Sequence, residues 1–236
     1  MILYANGCSH TAAAEAVHPA AFAEDDWPYR ALGRRPHPHN LAVSWCTLLA
    51  DQIGSQLICH AESASSNDRI IRTTQAWLDQ YQGPVNDLLV ILQWTTWERE
   101  EWLHDGTWYQ VNASGIDQVP PELEDRYRRY IVDVDWRQKT QQAHDQIWRM
   151  HQVLAQRSIP HVFFNGHSTF SDIADRREWA HSYVAPYDRE GSYNAVLLTR
   201  GFCYVNPKSY HFGKDAHCFW AQYLLQYLQL HNLIGD

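Results

Sequence analysis

Two side chains far apart in the sequence are of the types that acyl transfer needs. Ser9 stands in Asn6-Gly7-Cys8-Ser9-His10-Thr11, directly after the apolar run Ile2-Leu3-Tyr4-Ala5. A serine on a sharp strand-to-helix turn exposes its hydroxyl while nearby backbone N–H groups point at any developing anion. His211 stands near the other end, in Tyr210-His211-Phe212-Gly213-Lys214-Asp215-Ala216-His217, and a histidine can take the proton of such a nucleophile. The plain alternative is that Gly7 makes a turn and Ser9 caps a helix. Two more polar turns offer hydrogen-bond donors: Ser63-Ala64-Ser65-Ser66-Asn67 and Trp94-Thr95-Thr96. The N–H groups of Ala64 and Ser65, the amide of Asn67 and the hydroxyl of Thr95 or Thr96 are the candidates. Asn67 equally suits a helix cap.

These residues must be positioned by the elements between them. Residues 2–5 read as a strand, and the alanine-rich stretch 12–16 could open a helix. Apolar spacing predicts a helix over 41–53, ending at Gly54, then a second strand at 56–59. Another helix over 68–81 carries Ile70, Ile71, Thr74, Trp77 and Leu78 on one side, and Gly83-Pro84 stops it. Residues 87–93, Asp-Leu-Leu-Val-Ile-Leu-Gln, form the nearly continuous apolar run of a central parallel strand. An excursion over 98–121 and a long helical pattern over 122–157, broken near 133–135, follow. Strands at 161–165 and 202–205 and a closing helix at 215–230 complete the order. Strands alternating with helices make an α/β fold, a three-layer α/β/α sandwich around a five-stranded parallel sheet. Right-handed crossovers then put every strand-to-helix turn at one sheet edge, where such folds bind ligands.

Composition limits the function. A chain of 236 residues, 45% hydrophobic and 19% charged, is read as one globular domain. A net charge of −8 leaves no basic field for nucleic acid. Five cysteines without a C-x-x-C pair do not make a disulfide framework. The start shows a strand pattern rather than a signal peptide, and no apolar run reaches the roughly 18 residues of a membrane span. Cytoplasmic synthesis is the expectation. His37 and His39 could hold a metal only with a third ligand that is not local. Eleven tryptophans and thirteen tyrosines suit packing, an interface or a sugar-stacking wall.

In order and spacing these blocks resemble the SGNH (GDSL-like) hydrolases, in the form seen among phage and bacterial members. Asn6-Gly-Cys-Ser9-His-Thr is similar to their serine block, and Ser63-Ala-Ser-Ser-Asn67 to their glycine turn with both glycines replaced. Leu92-Gln-Trp-Thr-Thr-Trp-Glu-Arg99 occupies the place of the third block, without its Asn. Tyr210-His211 through His217 resembles the last block. The resemblance implies a serine esterase with Ser9 as nucleophile and His211 as base, within hydrogen-bond reach of each other. It implies no metal or organic cofactor. The Asp expected two or three residues before His211 is Ser209 or Lys208 here, so Asp188 and Asp215 are the candidate substitutes. His217 is expected to pack the last helix, and Glu98 with Arg99 to form a solvated pair. The substrate would be a small-molecule or carbohydrate ester, conceivably an O-acetyl group, with insertions around 94–130 and 166–200 supplying an aromatic rim. The missing Asp and Asn support a rival, a catalytically impaired binding or virion-associated module, with a homo-oligomer or virion assembly as partner. A nucleotide-binding flavodoxin-like domain is a further rival, opposed by the lack of a Gly-rich phosphate loop.

Overall fold

A computed structural model of the protein describes residues 1–113, 119–206 and 208–234. Six strands are numbered along these residues: β1 (Ile2–Asn6), β2 (Gln56–Cys59), β3 (Leu88–Trp94), β4 (Glu100–His104), β5 (Thr107–Val111) and β6 (His161–Asn165). Four of them form one parallel sheet in the order β2–β1–β3–β6. All seven residues of β3 are buried, as its unbroken apolar run requires of a strand covered on both faces.

Period-two alternation sends the strand residues to two cores. Leu3, Ala5, Leu89, Ile91 and Phe164 pack on one face against α2 (Trp45–Gln52), α6 (Tyr193–Thr199) and α7 (Lys214–Leu230). Tyr4, Val90, Leu92 and Phe163 point the other way, toward α3 (Asn67–Gln80) and α5 (Trp136–Gln156). The three-layer α/β/α architecture follows from that alternation.

Three local outcomes differ from the sequence pattern. The 41–53 helix is split into α1 (Pro38–Ala42) and α2, because Ser44 turns its hydroxyl back to cap Thr47 N–H. The alanine-rich 12–16 stretch is a series of turns, with Ala13 at φ 52° and Glu15 at φ 63°. The expected fifth strand at 202–205 folds back on the chain instead. Tyr204 bridges Phe212 antiparallel, and Val205 N–H donates to the His211 carbonyl at 2.9 Å. The outer edge of β6 is covered by 182–184, where Phe163 exchanges hydrogen bonds with Ser182 and Val184. The sheet therefore has four strands.

The long helical pattern breaks where expected, giving α4 (Glu124–Val132) and α5, whose N-cap Asp135 accepts Gln138 N–H at 3.0 Å. The 98–121 excursion contains the antiparallel hairpin β4–β5, with 114–118 outside the described residues. Trp102, Val111, Val119 and Tyr127 give it a small core of its own. Among the described residues no helix is long and apolar enough to cross a membrane.

Gly7 is fixed by crowding. A Cβ there would run into the Thr11 hydroxyl and lie 2.8 Å from Gln93 Oε1. Gly7→Ala is therefore expected to cost about 1–3 kcal/mol, the usual range for overpacking a filled core. A lower urea midpoint with unchanged m-value would register it; a midpoint equal to the parent's would refute it.

Candidate active site

The turn after β1 is locked to β3 by one buried side chain. Gln93 Oε1 accepts from Cys8 N–H at 3.1 Å, the Cys8 thiol at 3.2 Å and the Thr11 hydroxyl at 3.2 Å. Its Nε2 donates to the Trp94 carbonyl at 2.7 Å, at the end of β3. Ser9 sits on this turn, 8% exposed. Its hydroxyl reaches Cys8 Sγ at 4.0 Å, and among the described residues it makes no hydrogen bond to His211.

His211 is held by an acid that sequence reasoning missed. Its Nδ1–H donates to Glu15 Oε2 at 2.6 Å, with both side chains about three-quarters buried. That bond fixes the tautomer and leaves Nε2 with a free lone pair, the form a general base needs. Burial opposes the charged carboxylate of Glu15, yet hydrogen bonds from Ser209, His211 and Asn206 outweigh it and hold the group below its ordinary range. Ser209, in the place where an Asp was expected, also accepts His211 N–H at 3.1 Å. Neither proposed substitute acid performs this task. Asp188 caps its own turn by accepting Glu190 N–H at 2.9 Å, and Asp215 lies in the first turn of α7.

Two further histidines stand here. His10, beside Ser9, and His167, on the turn after β6, place their Nε2 atoms 2.5 Å apart. The His10 ring lies 5.8 Å from that of His211. Burial pushes the proton affinity of His10 well down, reinforced by His167, His211 and Arg99. His167 is lowered to about 4 by burial, then by Arg99 and His211. Both shifts favour the neutral rings, whose facing nitrogens lie within hydrogen-bond distance. Of the three rings, His211 is the one backed by a carboxylate.

The donor turns are sorted by their backbone bonds. Ser65 N–H is spent within its turn on the Glu62 carbonyl at 3.1 Å, which removes it as an anion donor. The N–H groups of Ser9 and Ala64 have no acceptor among the described residues. Ala64 adopts φ 66°, a conformation that favours glycine. Ser66, not Asn67, caps α3. Asn67 Oδ1 accepts Thr95 N–H at 2.9 Å, and its Nδ2 has no acceptor among the described residues. The Thr95 hydroxyl is buried without a partner, whereas Thr96 donates to Glu98 Oε1 at 2.8 Å. Glu98 and Arg99 form no ion pair with each other.

His217 packs as expected: it is buried, and its Nδ1 accepts Trp45 N–H at 3.3 Å. The aromatic stretches are mostly interior. Trp97 stacks on Phe170 at 4.7 Å, and Trp102 and Trp179 are buried. Tyr210, 66% exposed and edge-on to His167, is the open aromatic beside the site.

The His37 region gathers different ligands from those anticipated. His18, Asp26 and His37 bring their donor atoms within 4.8 Å of one another, while His39 pairs with the Tyr29 hydroxyl. His18 and His37 both accept backbone N–H at Nδ1, from Ala20 and His39. Their Nε2 atoms therefore carry the protons and face Asp26, at 3.7 and 3.0 Å. A metal would need those lone pairs, so the arrangement is a histidine–carboxylate clamp.

The pattern of DUF6071, a family of unknown function, matches residues 33–184. That span includes Asn67, Thr95, Arg99 and His167 but neither Ser9, Glu15 nor His211. No curated protein matches the chain. Among solved structures, a proposed lipolytic protein of the G-D-S-L family from Desulfitobacterium hafniense DCB-2 is similar at 14% identity and a TM-score of 0.46. The similarity covers 96% of this chain and 99% of that one.

Proposed function

The chain belongs to DUF6071, whose function is unknown, and we propose from its own residues that it is a serine ester hydrolase of SGNH type. The observation that carries the reading is the Glu15–His211 pair at the sheet edge that also holds Ser9. Ser9 Oγ attacks the ester carbonyl as His211 Nε2 takes its proton, and the alkoxide leaves with that proton. Water then enters by the same base and releases the acid. The free N–H groups of Ser9 and Ala64, with Asn67 Nδ2, receive the oxyanion. In this reading the Ser9–His211 hydrogen bond forms on substrate binding, since catalytic hydrogen bonds are commonly long or unmade in the empty site. Tyr210 could stack on a sugar alcohol, which keeps a carbohydrate ester among the substrates.

A fluorophosphonate probe tests this directly. Ser9 is expected to carry the adduct in peptide mapping, and Ser9→Ala to lose it. The unformed Ser9–His211 hydrogen bond favours one rival, a binding module on the same fold. Absence of labelling in a folded protein, together with no p-nitrophenyl acetate turnover, would establish that rival.

A further inference from the structure

The 63–67 and 95–99 loops hold several buried polar atoms without a partner among the described residues. Ser63 Oγ, Thr95 Oγ1 and Arg99 Nε are the donors of this kind, and Asn67 Nδ2 likewise has no acceptor among the described residues. Arg99 is the cation among them. Among the described residues its single hydrogen bond runs from Nη1 to the Ser65 carbonyl, long at 3.5 Å. No carboxylate among the described residues pairs with it, whereas Arg69 and Arg72 on the neighbouring helix α3 pair with Glu62 and Glu101.

The acids near Arg99 face other groups. Glu98 keeps Oε1 on Thr96, with Oε2 buried and unbonded. Glu100 is taken by Lys139 and Trp102, and Asp68 by Gln146 at 3.2 Å. Arg99 and Asn67 line a cavity of about 200 Å³ whose other charged residues are Asp68, Glu100 and Lys139; the acids there are already bonded, which leaves Arg99 as its unpaired charge. The Arg99 charge also depresses the proton affinity of His10 and His167, and its contact with the Ser65 carbonyl sets it against the turn that offers the Ala64 N–H. A partly desolvated guanidinium without a counter-ion is costly, and its planar fork matches a carboxylate in two-point contact.

We propose that Arg99 is the specificity residue of the Ser9 site and selects esters that carry a free carboxylate near the scissile bond. The inference rests on the esterase reading for its substrate, and on Arg99 itself for its recognition. Asn67 stays available to the oxyanion, while the substrate carboxylate pairs with the Arg99 guanidinium beside the Ser65 carbonyl.

The experiment compares mono-p-nitrophenyl glutarate with its neutral methyl ester. The wild type is expected to favour the acidic ester by at least about ten-fold in kcat/KM, the scale of one charge-assisted contact. Arg99→Gln should bring that ratio close to one, mainly through KM, and Arg99→Lys should restore part of it. In parallel, glutaric monoanilide and its methyl ester, amides that demand no turnover, are titrated calorimetrically into wild type and Arg99→Gln. Equal hydrolysis and equal binding of the acidic and neutral forms would overturn the proposal and leave the esterase standing. No hydrolysis of either ester, with selective anilide binding lost in Arg99→Gln, would sink the esterase and keep the recognition. Neither hydrolysis nor selective binding would overturn both.

Discussion

Glu15→Gln is expected to lower kcat by about 10³–10⁴ while leaving the fold intact, the scale seen when a triad acid is neutralised without change of shape. Glutamine can present its amide N–H₂ to His211 Nδ1, which reverses the tautomer and places the ring proton on Nε2, where the Ser9 proton must arrive. It also removes the charge that stabilises the imidazolium. Asp188→Asn and Asp215→Asn should stay within about two-fold of the parent, since neither carboxylate contacts His211. Ser209→Asp should slow the enzyme, because a second carboxylate beside Glu15 competes for the same proton and displaces the hydroxyl that now donates to it. Turnover of p-nitrophenyl acetate by the four variants checks the set. A Glu15→Gln enzyme as fast as the parent, with either Asp variant dead, would assign the orienting acid elsewhere.

The second large effect is acid lability. Burial lowers His161 and His167 to about 4 and His217 to about 3, whereas an unfolded chain binds these protons near about 6.5. Below that value the unfolded state holds more protons than the folded one, so stability falls as pH falls. The contribution is complete above about pH 6.5 and is lost progressively toward pH 4. Each ring costs about 1.4 kcal/mol per pH unit in that window. Together they remove several kcal/mol from a total on the order of 5–15 kcal/mol. Urea midpoints at pH 7.5 and 4.5 should differ strongly. His217→Gln, which can still accept Trp45 N–H, should flatten the acid limb. A midpoint that does not move between the two pH values would contradict the account.

Most of the architecture was legible because it rests on periodicity. The β3 run, the α3 and α7 stripes and the break before α5 follow from apolar spacing and breakers. Ser9, His211 and the two donor turns could be read from their places after strands. Glu15 could not. It lies in an alanine-rich stretch whose helical propensity is overridden by packing, since Ala12, Ala13 and Ala14 are each 1% exposed in tight turns. Left-handed φ at Ala13 and Glu15 carries no glycine signal. A signal did exist: Glu15 is the one acid between Ser9 and Ala23. His10 and His167 were visible as turn residues, but only their 2.5 Å approach reveals a pair. The bridge of Tyr204 to Phe212 was hidden because 202–205 has the composition of a strand and the partner of a hairpin.

The central place of β1 in the sheet has a consequence for synthesis. Its neighbours are Gln56–Cys59 on one side and Leu88–Leu92 on the other, so the first strand made cannot pair until much later sequence exists. Such non-local pairing slows folding. At roughly 5–20 residues per second on the ribosome, the turn bearing Ser9 and Glu15 waits on the order of ten seconds or more for His211 to be made. Until residues 56–59 and 88–92 are made the apolar first strand stands without a partner, and a holdase that binds nascent Ile2–Asn6 would be expected to raise the yield of folded protein.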